Sequence, residues 1–253
     1  MLSYTERGRG PALVFIHAFP LDSSMWRAQA EHFSTRHRVI TPDILGFGGS
    51  QPPRPWTMAQ MGDESLLLLD HLRIDKCTLA GLSMGGYISL PLALGHPDRI
   101  ERLVLAHTRA RADLEPERAA RNAMIEELRK DGVAGLPDKM LPRLLGTAAS
   151  DEVKGTVRDA ILRTAAEADI HAVTAMRDRN DQTARLGGVK SATLVIAGSG
   201  DAIMKVEDSQ AMAEAIPRAR LVVIPNTGHL SNLEDPPAFN RELEDFLRQS
   251  DSK

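Results

Sequence analysis

The chain has 253 residues, 42% of them hydrophobic, and a formal net charge of -3 at pH 7. This length and composition suit one large domain with its own core, and the single cysteine excludes an internal disulfide. Charges of both signs are scattered along the chain, without the basic stripe that nucleic-acid binding requires. No segment approaches about 20 apolar residues and the start lacks a signal-peptide pattern. We therefore expect a cytoplasmic protein with neither a nucleic-acid nor a membrane partner.

Short apolar runs with polar or glycine-rich ends predict strands near residues 2–6, 12–16, 38–42, 77–82, 101–106, 193–198 and 220–224. Helical segments alternate with these runs, which predicts an α/β fold with a mostly parallel sheet flanked by helices. From residue 108 to residue 189 the strand pattern stops, and apolar residues recur at helical spacing. We therefore expect a core of residues 1–107 and 190–253, with residues 108–189 inserted as a helical cap.

Three local signals concern particular elements. Thr57 followed by Gln60 is the pattern of a capping box and predicts the start of a helix. Pro91 falls inside a helix expected after the strand near 77–82, where its missing N–H should kink the helix or end it early. Cys77, at the start of that strand, is interpreted as a small buried hydrophobe rather than a redox centre.

The segment 81–85, Gly-Leu-Ser-Met-Gly, joins an apolar run to a helix-compatible stretch. This arrangement is typical of a nucleophile elbow, a sharp strand-to-helix turn with a serine at its tip. The backbone doubles back so closely that the positions two before and two after the serine must be small, and here both are glycine. The pattern places the Ser83 hydroxyl at a helix N-terminus, where developing negative charge is stabilised. Ser83 is therefore a candidate nucleophile.

Two later strands are each followed by a residue that could complete a catalytic triad with Ser83. Asp201 lies in the loop after the strand near 193–198, and His229 lies in the loop after the strand near 220–224. The order serine, acid, histidine is the order of the elbow-type hydrolases. We expect His229 to act as the general base and general acid, and Asp201 to fix its tautomer and stabilise its protonated form.

Four segments, 13–20, 43–50, 81–86 and 228–234, resemble small bacterial α/β hydrolases. The similar group includes 3-oxoadipate enol-lactonases, non-haem haloperoxidase-like esterases and carboxylesterases. The resemblance implies that the amides of Phe19 and Met84 form the oxyanion hole, and that His17 braces the first of these segments. One position departs from the family pattern, because Ala18 stands where a glycine is usual.

Substrate contacts are harder to assign, and three residues are candidates. Trp26 is interpreted mainly as packing, with a part in the pocket wall as the alternative. His107 follows the strand near 101–106 and could contact substrate or serve the structure. Arg109, followed closely by Arg111, could bind a substrate carboxylate at the catalytic edge of the sheet. The alternative for Arg109 is a solvated arginine at the junction with the cap.

The sequence gives no metal or nucleotide signature. Eight histidines are present, but none forms a His-x-His pair or a pair four residues apart, so we expect no metal. The glycine-rich segment 46–50 lacks the lysine of a phosphate-binding loop and the third glycine of a dinucleotide fingerprint. We read it as a tight turn and expect no cofactor.

The expected function is a cofactor-free serine hydrolase of small carboxylic esters or lactones, acting through an acyl-enzyme on Ser83. A 3-oxoadipate enol-lactone is the leading substrate. Three alternatives stay open: a carbon-carbon bond hydrolase of ring-cleavage products, a perhydrolase, and a non-catalytic ligand-binding receptor. Epoxide hydrolases and haloalkane dehalogenases of this fold use an aspartate at the elbow, and Ser83 argues against both. A homodimer is compatible with the sequence.

Overall fold

A computed structural model of the protein describes residues 1–248. Its sheet contains seven strands in the order β1-β3-β2-β4-β5-β6-β7, with β1 antiparallel to β3 and every other pair parallel. The strands are β1 (Tyr4–Arg7), β2 (Ala12–Ile16), β3 (Arg38–Pro42), β4 (Cys77–Leu82), β5 (Ile100–Ala106), β6 (Ala192–Gly198) and β7 (Ala219–Ile224). The predicted α/β fold is confirmed. The last five residues of the predicted core segment 190–253 lie outside the described residues.

The inner strands are mostly apolar because helices cover both faces of a parallel sheet. Every residue of β4 is buried, and so are the last four residues of β2. Cys77 is among them, and burial raises the pKa of its thiol to about 12, which suits a packing role. The predicted strand positions agree closely with the observed ones except in β1, which begins at Tyr4 rather than near residue 2. Leu2 is buried in the core instead.

The helices of the described residues are α1 (Arg27–Phe33), α2 (Met58–His71), α3 (Met84–Gly95), α4 (Glu115–Asp131), α5 (Leu136–Leu144), α6 (Asp151–Arg163), α7 (Ala166–Arg177), α8 (Val206–Ala215), α9 (Ser231–Glu234) and α10 (Pro236–Arg248). Short 3-10 helices cover Ser23–Trp26, Pro97–Arg99 and Thr183–Gly188. None of the helices in residues 1–248 combines the length and the apolar character needed to cross a membrane.

Two of the local sequence signals can be compared with these helices. The capping box at the start of α2 is confirmed: Gln60 Oε1 accepts from the Thr57 amide at 2.8 Å, and Thr57 Oγ1 accepts from the Gln60 amide at 3.2 Å. Helix α3 does not end early at Pro91, because it continues to Gly95; the alternative, a kink at the proline, stays a prediction. Leu90 and Leu92 beside the proline are buried, so packing outweighs the hydrogen bond that the proline cannot make.

Between β5 and β6 the chain forms α4 to α7 and one 3-10 helix, with no strand from residue 107 to residue 191. Helix α4 packs against α7, and α5 packs against α6. The segment therefore has the helical character that the sequence predicts for the cap. Its treatment as a separate domain stays a prediction.

Asp169 in α7 is fully buried, and neither of its carboxylate oxygens has a hydrogen-bond partner within residues 1–248. Burial raises the pKa of this carboxyl well above its usual range. A raised folded-state pKa means that stability falls as the pH rises from the unfolded value through the folded value. We expect Asp169→Asn to raise the melting temperature by about 2 °C or more at pH 8, and by less near pH 4.

Thermal unfolding followed by circular dichroism at several pH values checks this expectation. Asp63→Asn in α2 is the matched control, because Asp63 is exposed. A melting-temperature difference for Asp169→Asn that is the same at every pH would contradict a buried, proton-binding carboxyl.

Candidate active site

Ser83 lies at the turn between β4 and α3, and its backbone has a φ of 55°. A Cβ atom added to Gly81 would lie 2.3 Å from the Gly85 carbonyl oxygen, and one added to Gly85 would lie 2.2 Å from the Ile16 carbonyl oxygen. No side chain fits at either position without backbone movement. The elbow geometry therefore requires both glycines, and the positive φ at Ser83 is strain of the kind that functional sites store.

The elbow lies next to the loop that follows β2. Strand β2 pairs with β3 on one side and β4 on the other, so the strand order reverses here and leaves a crevice at the carboxyl ends. Phe19 from the β2 loop and Ser83 line the same cavity. Within residues 1–248 the amides of Phe19 and Met84 donate no hydrogen bond to another protein group. Their oxyanion role stays a prediction.

His17 holds the β2 loop in place, as the sequence predicts. Its Nδ1 donates to the Ala18 carbonyl oxygen at 2.9 Å, and its Nε2 accepts from the Ile44 amide at 2.9 Å. Burial lowers the pKa of His17, which keeps the ring neutral and able to do both. Ala18 does not adopt a positive φ, so alanine fits here without strain.

Asp201 and His229 meet at the carboxyl ends of β6 and β7. The Asp201 Oδ2 accepts from His229 Nδ1 at 2.8 Å, while Oδ1 accepts from the amides of Ile203 and Met204 at 2.8 and 2.9 Å. Burial opposes the charged form of Asp201. The neighbouring His229 and the hydrogen bonds from His107 and His229 nevertheless hold the pKa of Asp201 well below its usual range. The carboxylate is therefore charged and fixed in position at neutral pH.

Glu234 positions the loop that carries His229, a role that the sequence analysis missed. Its carboxylate accepts from the Gly228 amide at 3.0 Å and from the cap residue Gly146 at 2.8 Å. The His229 amide itself donates to the Leu144 carbonyl oxygen at the end of α5, at 2.9 Å. The cap thus helps to hold the histidine loop. Glu234 lies within the segment 228–234, whose resemblance to the hydrolases was the available signal.

Ser83 and His229 both line a cavity of about 150 Å³. Methionines supply much of its apolar wall, among them Met124, Met140 and Met176 from the cap. No hydrogen bond joins the Ser83 hydroxyl to His229 among the described residues. The two groups therefore face one cavity, and contact between them during a reaction stays part of the proposed mechanism.

The predicted pocket contact of Trp26 is wrong. Its side chain is fully buried, with ring centroids 4.7 Å from Phe15 and 5.8 Å from Phe239, and it is absent from the lining of the cavity. Trp26 is a core residue, in agreement with the packing interpretation.

The predicted substrate contact of His107 is also wrong, because its side chain is fully buried behind the site. Its Nδ1 lies 2.9 Å from Asp201 Oδ2 and its Nε2 lies 2.6 Å from Ser231 Oγ. His107 therefore contacts the candidate triad residue Asp201 and does not line the cavity.

Arg109 lines the cavity but is not solvated. Its guanidinium donates to Asp113 and to Glu117, each at 2.7 Å, and its side chain is 7% exposed. Asp113 is also paired with Arg121 and Arg179 at 3.0 and 2.8 Å. The solvated alternative is therefore wrong, and Arg109 joins an ion-pair network within the cap segment. A contact between Arg109 and a substrate carboxylate stays a prediction.

His107, Asp201 and His229 could also hold a metal ion, because their potential ligand atoms lie within 4.8 Å of one another. Sequence spacing could not reveal this group, since its members come from three separate loops. In the observed arrangement both histidines direct Nδ1 at the same carboxylate oxygen. A metal ion would have to replace those two protons.

A second, larger cavity of about 290 Å³ is lined by Trp56, Tyr87, Pro91, Arg109 and Arg179, among others. Neither Ser83 nor His229 lines it. We therefore place the candidate active site at the smaller cavity, where the reactive groups converge.

A model of the alpha/beta hydrolase family matches residues 13–242. The structure is similar to that of a thermophilic esterase from Thermogutta terrifontis with malate bound, at 37% sequence identity and a TM-score of 0.94, covering 98% of this chain and 93% of that one. It is also similar to the enol-lactonase from Burkholderia xenovorans, at 32% identity and a TM-score of 0.91, over 98% of this chain and 96% of that one. The sequence is 30% identical to 3-oxoadipate enol-lactonase 2 of Acinetobacter baylyi, over 98% of this chain and 93% of that protein. The chain belongs to the alpha/beta hydrolase family.

Proposed function

We propose that the protein is a cofactor-free serine hydrolase of carboxylic esters or lactones, with Ser83 as the nucleophile. The observation that carries this proposal is the buried Asp201 and His229 pair, whose histidine lines the same cavity as the serine of a strained elbow. A nucleophile, a base and a group that orients the base are the three parts that acyl transfer requires.

The hydrogen bond between His229 and Asp201 supports one direction of proton transfer. His229 Nδ1 donates to Asp201, so Nε2 of the neutral ring carries no proton and can accept that of Ser83. The Ser83 oxygen then forms a bond to the acyl carbon, and the amides of Phe19 and Met84 stabilise the oxyanion. As the tetrahedral intermediate collapses, the bond between the acyl carbon and the leaving oxygen breaks, and His229 returns the proton to that oxygen. Water, activated by the same imidazole, cleaves the acyl-enzyme.

The cavity and the relatives favour small esters and lactones as substrates. Methionines and Phe19 give it an apolar wall, while Arg143 brings a positive charge to the same cavity. Relatives of similar length include an enol-lactonase and an esterase. We propose a 3-oxoadipate enol-lactone as the leading substrate, acted on in the cytoplasm, and a homodimer as an assembly to test by light scattering.

The proposed function is tested with purified protein and a panel of p-nitrophenyl esters, simple lactones and enol-lactones. A pre-steady-state burst of about one p-nitrophenol per protein chain is expected, because acylation releases the alcohol before water cleaves the acyl group. Binding of a lactone with less than one turnover of every ester and lactone would overturn the proposal in favour of a receptor. Ring-cleavage dienones and a peroxide-dependent assay in the same panel test the carbon-carbon hydrolase and the perhydrolase.

Arg143 gives a specific expectation for charged substrates. It is exposed at the cavity and has no ion pair among residues 1–248, whereas both acid partners of Arg109 are within 2.7 Å. We expect Arg143→Ala to lower kcat/KM about threefold to fivefold on the p-nitrophenyl monoester of succinate, because an exposed ion pair contributes little. Neutral p-nitrophenyl butyrate should be unaffected.

Arg109→Ala is the matched variant in this comparison. Because the Arg109 guanidinium is already paired with Asp113 and Glu117 inside the cap segment, its loss should affect the charged and neutral esters equally. If Arg109→Ala lowered kcat/KM only on the charged ester, and Arg143→Ala did not, the carboxylate contact would be assigned to Arg109 instead of Arg143.

A further inference from the structure

The Asp201 carboxylate is approached by two histidines rather than one. His229 Nδ1 lies 2.8 Å and His107 Nδ1 lies 2.9 Å from the same oxygen, Oδ2. The other oxygen, Oδ1, is already occupied by two backbone amides. Both imidazoles are buried, and their ring centroids are 5.6 Å apart at a steep angle. The proposed mechanism uses His229 alone and leaves His107 without a role.

The partners of His107 fix which of its nitrogens carries the proton. A carboxylate only accepts hydrogen bonds, so Nδ1 must be the protonated atom. In the neutral ring Nε2 is then an acceptor, and the Ser231 hydroxyl donates a hydrogen bond to it at 2.6 Å. Burial is the largest influence on the pKa of His107 and lowers it, although Asp201 opposes the shift. The charged and titratable groups that act on His107 are Asp201, His229 and Glu234.

The backbone at His107 also indicates that its position is specified. Its φ is 48°, and its amide donates to the Ile196 carbonyl oxygen of β6 at 2.8 Å. This conformation turns the chain at the end of β5. A non-glycine residue rarely adopts it unless the surroundings impose it.

We propose that His107 is a positioning residue for the serine hydrolase reaction. It donates a second hydrogen bond to Asp201 Oδ2, which orients the carboxylate and reduces the stabilisation that Asp201 gives to protonated His229. This inference rests on the proposed function. It gives His107 an effect on the pH dependence of turnover that a packing residue would not have.

The sign of the effect follows from the shared oxygen. A neutral donor on Oδ2 disperses the negative charge that would otherwise act on His229 alone. Removing that donor strengthens the attraction between Asp201 and the protonated form of His229. Since only the neutral imidazole can accept the Ser83 proton, the acidic limb of the kcat/KM profile moves to higher pH.

Two substitutions separate the donor from the bulk of the ring. His107→Phe keeps a planar ring and removes both nitrogens, and we expect it to move the acidic limb upward by about 0.5 to 1 pH unit. His107→Asn keeps an N–H donor near the position of Nδ1, and asparagine tolerates a positive φ. We expect the Asn variant to restore the profile to within about 0.2 pH unit of the native enzyme, with KM little changed in both.

A folded Phe variant with an unshifted limb would overturn the inference, and so would an Asn variant that shifts as far as Phe. Nitrogen-15 NMR of histidine-labelled native protein is independent of any variant folding. It should show a neutral His107 protonated at Nδ1 across the working pH range, and a ring protonated at Nε2 would overturn the inference. Loss of turnover in Ser83→Ala supports the proposed function separately, so failure of one claim is distinguishable from failure of the other.

Discussion

Ser83→Ala is expected to lower kcat for p-nitrophenyl acetate by about 10⁴-fold to 10⁶-fold, with a small change in KM. The substitution removes the oxygen that we propose to form the acyl-enzyme and leaves the cavity walls in place. Alanine retains the Cβ atom, so the strained turn at φ 55° is preserved and the melting temperature should change little. Steady-state kinetics on freshly purified protein measure the effect.

Ser65→Ala is the matched control for this substitution. Ser65 is buried in α2, where its hydroxyl donates only to the Met61 carbonyl oxygen at 2.7 Å. We expect the control to keep its full activity. Turnover by Ser83→Ala at the native rate, in protein whose mass confirms the substitution, would mean that another group attacks the substrate.

His229→Ala is expected to reduce kcat to nearly the same level as Ser83→Ala. Without the imidazole the serine proton has no acceptor, and Asp201 is left with one donor fewer on Oδ2. Residues that act as a unit give losses that are far from additive. The double variant Ser83→Ala/His229→Ala should therefore be no slower than the worse of the two single variants.

Measuring kcat for the two single variants and the double variant under one set of conditions tests this coupling. Losses that multiply in the double variant would show that the two residues act independently. Asp201→Asn belongs to the same series, with an expected loss of about 10⁴-fold, because an amide cannot hold the imidazole in the required tautomer.

The sequence allowed prediction of the parts of the site that depend on local patterns. The elbow could be recognised because two glycines flank Ser83 at positions where a Cβ atom would approach a carbonyl oxygen to within 2.3 Å. Asp201 and His229 could be recognised because each follows a short apolar strand, and parallel strands end at one edge of the sheet. The mostly parallel sheet with helices on both faces then followed from the alternation of strands with helices.

The contacts between distant segments could not be predicted in this way. Trp26 lies in the core because its ring packs on Phe239, which is more than 200 residues away in the chain. His107 contacts Asp201 rather than the cavity because the conformation at the end of β5, with a φ of 48°, turns its ring inward. Neither contact has a signature in local spacing. Periodicity also cannot tell which apolar residues of the cap face the active site and which face its interior.

Pro91 is a further case in which tertiary packing could not be predicted from local sequence, here from backbone propensity. Proline in a helix interior costs about 3 kcal/mol or more in exposed helices, which predicts a kink or an early end of α3. The helix continues because its residues on both sides of Pro91 are packed against the core. Tertiary packing therefore determines how far α3 extends, and the sequence pattern around the proline does not reveal that packing.

Trapping the covalent intermediate tests the central claim most directly. The native protein is mixed with p-nitrophenyl butyrate, quenched in acid within the burst phase, digested and analysed by mass spectrometry. A butyryl group is predicted on the hydroxyl of Ser83, and it should be absent from the same peptide of His229→Ala. An acyl group on a different residue, or steady turnover with no acyl group on any residue at any quench time, would contradict the account.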